Sequence, residues 1–316
     1  MAKDKPFDVL VVGELNIDLI LNKIGDYPTI GKEIIAGEMN FTIGSSAAIF
    51  ACNLSTLGAK VAFMGKVGED SFAKKILSDL KRKRVDISQI LKTDTNTGIS
   101  IVLNYEEDRA MVTYPGAMEE LKVDDITDET LSMANHLHVS SLFLQKALKP
   151  DIVELFRRAK RIGLTTSLDP QWDPTELWDI DLPELLPYVD IFLPNESELL
   201  NLTSRESIDK ALEEIKKYGN LILVKKGKSG SLLSYDDHKV NCKPFLNNAV
   251  VDAIGAGDSF NAGFVFRFLQ GAPPEDCQTF GNLIGAVSTT KSGGTTAFAD
   301  YEGIMKIAKE KFNYEE

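Results

Sequence analysis

Cysteine is scarce in this 316-residue chain, and Cys52, Cys242 and Cys277 are scattered without paired spacing. That pattern argues against a structural zinc site and against a disulfide framework. Excess positive charge is missing as well. The 35 Lys and Arg stand against 47 Asp and Glu, net −12, so nucleic acid and anionic membrane surfaces are poor partners. No apolar run approaches the roughly 20 residues of a membrane span. The opening MAKDKPFDVLVVGELN mixes acidic residues with its lysines and has no apolar stretch of signal-peptide length, so a soluble, cytoplasmic protein is expected. Internal repeats and low-complexity linkers are also lacking.

What is present is a 43% hydrophobic composition, enough to bury one sizeable core. Phe7 to Gly13 is a short β-branched run ending in Gly and reads as a buried parallel strand. Ser45 to Leu57 suits a helix with Ser at its start and Gly58 past its end, followed by a strand at Val61 to Val67. Asp70 to Arg84 carries Phe72, Ile76, Leu77 and Leu80 at helical spacing. Thr97 to Pro115 reads as a β-hairpin turning at Glu106 to Arg109. Beyond it, strands at Leu137 to Leu142, Leu164 to Leu168, Ile191 to Leu193 and Leu221 to Lys225 alternate with helices such as Asp151 to Arg161 and Ile208 to Tyr218. The alternation predicts an α/β fold with a doubly wound, mainly parallel sheet flanked by helices. From Gly257 onward the pattern is mainly helical.

Chemistry concentrates at Val250 to Phe264, VVDAIGAGDSFNAGF. A Gly-rich entry into a helix aims free backbone N–H groups at one spot, backed by the positive end of the helix dipole, and makes an anion site. Asp258 in the first turn lies within reach of a hydroxyl attacking a phosphate held there. In isolation the same residues read as a capping Asp after a glycine turn.

DAIGAGDSFNAGF resembles the C-terminal signature D-T-x-G-A-G-D-x-F of the ribokinase-like (PfkB) carbohydrate kinases, with Ala253 for the usual Thr. The resemblance implies that Asp258 is the base, that Gly255, Ala256 and Gly257 form the anion hole, and that Asp252 helps organise cations. PNESE at Pro194 to Glu198 resembles the family's N-x-x-E element, so Asn195 and Glu198 would hold Mg²⁺ and phosphates largely through water; alone it reads as a capped helix start. LILVKKGKSG at Leu221 to Gly230 resembles the family's nucleotide element, placing Lys225, Gly227 and Gly230 near ATP. A P-loop is excluded there, because the first Gly of GxxxxGKS would fall on Ile222. Asn282 and Lys291 to Gly294 fall where the family builds its adenine pocket and, in many members, a site for a monovalent cation such as K⁺.

At the substrate end GELNID resembles the N-terminal element, with Asn16 and Asp18 bonding substrate hydroxyls. IGSSAA, Ile43 to Ala48, aligns with G-G-x-x-x-N, so Gly44 and Ser45 match while Ala48 replaces the Asn that grips the sugar. In LDPQWDP, Gln171 and Asp173 replace the Asn and Arg of D-x-N-x-R, and Trp172 reads as a stacking face for a sugar or as part of the cleft wall.

The resemblance therefore implies one ribokinase-like α/β domain over residues 1–316, with a small β lid from about 14–44 and 97–117. It implies an ATP- and Mg²⁺-dependent kinase acting on a hydroxyl of a sugar or sugar-like polyol, and a homodimer through lid strands. The alternatives are a nucleoside, vitamin or phosphosugar kinase on the same fold, or a catalytically silent sugar sensor. A phosphosugar kinase needs clustered cations near the cleft, for which the sequence offers only Lys32 and Arg109.

Overall fold

In the computed structural model, which describes residues 5–105, 108–219 and 221–315, the opening apolar run forms β1 (Phe7–Val12). Its side chains divide between two layers, Leu10 and Val12 in one buried cluster and Val9 and Val11 in another. A strand covered on both faces needs apolar residues at every position, which is why β1 shows no alternation. The chain continues through β2 (Asn16–Ile24), β3 (Ala36–Ile43), α1 (Ser46–Leu57), β4 (Val61–Val67), α2 (Ser71–Arg82), β5 (Asp86–Lys92), β6 (Gly98–Tyr105) and β7 (Asp108–Tyr114). Then come α3 (Asp128–Ser132), β8 (Ala134–Ser140), α4 (Ile152–Ile162), β9 (Thr165–Asp169), α5 (Leu182–Leu185), β10 (Ile191–Phe192), α6 (Glu196–Thr203), α7 (Ile208–Ile215) and β11 (Leu221–Lys225). The last elements are β12 (Ser231–Tyr235), β13 (His238–Cys242), α8 (Ala256–Leu269), α9 (Pro274–Ser288) and α10 (Tyr301–Phe312).

The large sheet runs in the order β13-β12-β11-β10-β9-β8-β1-β4-β5, parallel except for the antiparallel β11-β12-β13 edge. Phe156 of α4, Leu199 of α6 and Leu212 of α7 pack one face, while Phe50 of α1, Val265 of α8 and Leu283 of α9 pack the other. This is the doubly wound, mainly parallel α/β architecture that the alternation predicts. From β1 the chain moves outward through β4 and β5, then returns to the other side of β1 at β8. Such a reversal of strand order leaves a crevice beyond the carboxyl ends of the strands, where open α/β sheets bind ligands.

A second sheet, ordered β3-β2-β6-β7, contains a parallel β2-β6 pair between two antiparallel ones. Period-2 alternation sorts its faces. Phe41, Leu19, Ile101 and Val112 lie in one cross-strand row, and Thr42, Asp18, Ser100 and Thr113 in the adjacent row on the opposite face. The predicted hairpin is β6 and β7; Glu106 and Glu107 of its turn lie outside the described residues.

Several boundaries depart from the sequence reading. β8 spans Ala134–Ser140 rather than starting at Leu137, because His136 and His138 are buried in it, and hydrogen bonds to Thr165, Ser167 and Ser140 replace the apolar residues that would have marked the run. The helix read to Tyr218 is α-helical only to Ile215. The half-buried strand β5 and the β12-β13 hairpin have no counterpart in that reading. Among the described residues no helix is long and apolar enough to cross a membrane.

Candidate active site

The carboxyl ends of β1, β8, β9, β10 and β11 deliver Glu14, Ser140, Asp169, Asn195 and Lys225 to the crevice. Register fixes two of these neighbours: Ser140 pairs with Asp169 across β8 and β9, and Asn195 bridges to Lys225. Opposite them Gly255 precedes α8, in the left-handed region with φ 74°, and no side chain caps the helix N-terminus. A side chain at Gly255 would put its Cβ 2.7 Å from Gly294 Cα, so both the backbone angle and the close approach require glycine. The open first turn leaves amide N–H groups aimed at the crevice with the helix dipole behind them.

Asp258, 6% exposed, sits in that first turn. Burial and then the charge of Asp169 push its carboxyl up to about 7, against the opposing pull of Lys225 and a hydrogen bond from Ser46. The Gln171 amide donates to both Asp258 Oδ1 (3.0 Å) and Asp169 Oδ2 (2.9 Å). Asp169 is fully buried, and its Oδ2 also takes Lys225 Nζ at 2.7 Å and the Asn261 amide, while its Oδ1 has no hydrogen-bond partner. Burial pulls the Lys225 ammonium down, but the charges of Asp169, Glu198 and Asp258 outweigh it and hold Lys225 above the ordinary lysine range. Lys225 Nζ would lie 3.7 Å from a Cβ built on Gly257, so the cation stands beside the glycine turn.

Asn195 and Glu198 form a capping box at the start of α6. Asn195 Oδ1 accepts the Glu198 N–H (2.9 Å), while Glu198 accepts the Asn195 backbone N–H (2.8 Å) and side-chain amide (2.6 Å). Burial first, then Asp169, push the Glu198 carboxyl up to about 7. Asp252 accepts the N–H groups of Ile254 and Gly293, each at 2.9 Å, tying the turn before α8 to the segment after α9.

The polar face of the small sheet closes the other side. The Asn16 amide donates to Asp18 Oδ1 (3.1 Å) and Ser100 Oγ (3.0 Å). Burial raises the Asp18 carboxyl to about 6, with the Asn16 bond and the charge of Arg109 working against it. A Cβ on Gly44 would fall 2.1 Å from Asp18 Oδ1, so glycine there lets the carboxylate lie on bare backbone. Ser45 caps α1 by accepting the Ala48 N–H (3.0 Å) and donates to the Glu14 carbonyl.

Of the remaining predicted residues, Gly227 and Gly230 lie between β11 and β12, and Asn282 lies on α9. Gly227 (φ 53°) faces open space, whereas a Cβ on Gly230 (φ 85°) would meet the Cys242 carbonyl at 2.1 Å, a requirement of the β12-β13 hairpin. Asn282 donates to Ser231 Oγ (2.8 Å) across the helix–sheet interface. Trp172 is 48% exposed and meets Trp178 edge-on, and Asp173 holds the backbone N–H groups of Thr175 and Trp178. Glu14, Ser46 and Asn261 have no individual mark in the sequence, whereas Asp169 and Gln171 enter it only as the first two fixed positions of the D-x-N-x-R resemblance, with no role attached to either.

A divalent cation fits this donor set in one way only. Among the described residues no cluster of three or more His, Cys, Asp or Glu could enclose a metal. The orphaned Asp169 Oδ1 and the buried carboxyls of Asp258 and Glu198 instead suit an ion carried in by phosphate groups and kept largely in water, as Mg²⁺ is.

The profile of the pfkB family carbohydrate kinase matches residues 7–300. The chain belongs to that family. A relative, an uncharacterized sugar kinase of Archaeoglobus fulgidus, is 30% identical over 241 residues, covering 76% of this chain and 95% of the relative. The 2-dehydro-3-deoxygluconokinase of Bacillus subtilis is 27% identical, covering 90% of each chain. Arabidopsis thaliana ribokinase, solved with ribose and ATP, superposes with a TM-score of 0.81 at 25% identity, covering 96% of this chain and 99% of that one. The fold is therefore the ribokinase fold, and the protein is a sugar or nucleoside kinase of that family.

Proposed function

We propose that this pfkB kinase transfers the terminal phosphoryl group of ATP directly to a hydroxyl of a sugar or sugar-like polyol in the cytoplasm, with Asp258 as the base. The observation that carries the reading is the Asp258 carboxyl, held near 7 in the uncapped first turn of α8 beside Lys225. A base poised near neutral pH accepts a hydroxyl proton at little cost. ATP would supply the phosphoryl group, and Mg²⁺, held largely through water by Asn195, Glu198 and Asp252, would offset the negative charge of its phosphates.

Within the protein, the amides of Gly255, Ala256 and Gly257 receive the charge that develops on the transferring group, and Lys225 reinforces them. Asn195, Glu198 and Asp252 meet the hydrated cation from outside, while Lys225, Gly227, Gly230 and Asn282 border the nucleotide. Asn16, Asp18, Gly44 and Ser45 orient the acceptor, because a carboxylate accepts two hydroxyl protons at once. A monovalent cation such as K⁺ would rest by Asp252 and the 291–294 segment. The small sheet acts as a lid that excludes water. Relatives named ribokinase and 2-dehydro-3-deoxygluconokinase support a sugar acceptor.

The outer face of the small sheet leaves Met39 (63%), Val112 (68%) and Tyr114 (50%) exposed beside Phe41 and Ile101. A contiguous apolar face of this kind marks an interaction surface. We assign it to a second copy of the chain, the homodimer partner.

The test is acceptor-dependent ADP release with ATP, Mg²⁺ and separate pools of sugars, nucleosides and phosphosugars. Release with a sugar pool is expected. Release with nucleosides alone would replace the acceptor class, and silence with every pool while ATP still binds would contradict the kinase reading.

A further inference from the structure

A pocket of about 760 Å³ opens between α2, the edge strand β3 and the 290–296 segment, a volume that suits a small metabolite. Its lining carries four cations, Lys75, Arg82, Lys83 and Lys291, against the single carboxylate of Asp79. That local excess stands out in a chain of net charge −12. Asp79 is 4% exposed and pairs with both Lys75 and the Arg82 guanidinium (2.9 Å for the latter), which holds the two heads at the wall. Lys83 donates to the Thr295 and Phe298 carbonyls and joins α2 to the opposite wall.

The same walls reach the catalytic turn. The Asn40 amide of β3 donates to Ser292 Oγ (2.9 Å), and Ser292 Oγ and the Gly293 N–H donate to Asp252 (3.3 and 2.9 Å). Asp252 in turn accepts the Ile254 N–H, one residue before Gly255, and Gly255 abuts Gly294. Contents of the pocket therefore bear on the small sheet and on the α8 turn together.

We propose that this pocket is a binding site for a phosphate-bearing anion, inorganic phosphate or a small phosphomonoester, distinct from the catalytic cleft. Two negative charges and several acceptor oxygens match the Arg82 fork on one wall and the Lys291 ammonium on the other. An anion held by both walls draws β3 against the 290–296 segment and favours closure of the small sheet over the cleft.

The test saturates the nucleotide site with a non-hydrolysable ATP analogue and Mg²⁺, then titrates inorganic phosphate and glycerol phosphate at constant ionic strength by calorimetry. Arg82→Ala and Lys291→Ala should each weaken binding by about tenfold or more. Lys92→Ala, which removes an exposed cation outside the pocket, should leave it unchanged. Hydrogen exchange should slow over β3 and residues 290–296 when the anion binds. No binding in the wild type, equal binding in all three variants, or protection confined to residues 255–258 would each overturn the site. None of these readouts uses turnover, so failure here leaves the kinase reading standing, and failure of that reading leaves this site testable.

Discussion

Glu14 is a fully buried carboxyl at the end of β1, with one oxygen accepting the Ala47 N–H at 3.3 Å and Oε2 without a hydrogen-bond partner. Burial raises it from 4.5 to about 7. A carboxyl whose folded pKa is raised binds its proton more tightly in the native state, so its penalty is absent below about pH 4.5, grows as pH rises, and is complete above about pH 7. Glu14→Gln keeps the shape and the acceptor for Ala47. Urea unfolding should find the variant more stable than wild type at pH 8 by on the order of 3 kcal/mol, with the gap much reduced at pH 5. An equal or lower stability at pH 8 would show that the ionised carboxylate is compensated.

At the scale of elements, the proposed acceptor side depends on β2 and β3 meeting through bare backbone. Gly44→Ala would drive a methyl into the Asp18 carboxylate. Overpacking of this kind costs about 1–3 kcal/mol, so the acceptor KM should rise by roughly ten- to a hundredfold while the KM for ATP changes little. An unchanged acceptor KM would remove Asp18 and Gly44 from the acceptor site. The elements also show what a sequence makes legible. β1 and β4 were readable because burial on both faces demands continuous apolar runs, and α1 because Ser45 and Gly58 bound it. β12 and β13 were not, because KKGKSG marks a glycine loop but not the hairpin beyond it, where Gly230 also serves the close approach to the Cys242 carbonyl. Among the candidate site residues, Asp258 and the glycine turn are neighbours in sequence, so their pattern is legible locally. The Gln171–Asp258 and Asp169–Asn261 bonds join residues 87 and 92 positions apart, a pairing that only the folded sheet creates.

Across the whole molecule, one face of the small sheet is polar towards the cleft and the other apolar towards solvent, so the proposed closure and the proposed assembly fall on a single element. A charge on the apolar face should prevent assembly without disturbing the fold, since Val112 is 68% exposed. Light scattering should give a dimer for the wild type and a monomer for Val112→Asp. A monomeric wild type, or a dimer that survives the substitution, would refute the assignment of that face.

The central claim is that Asp258 takes the proton of the attacking hydroxyl. Its most direct test is single-turnover phosphoryl transfer by Asp258→Asn, with ATP affinity measured alongside. Transfer should slow by roughly 10²–10⁴-fold at near-normal ATP affinity, whereas transfer at the wild-type rate would contradict Asp258 as the base.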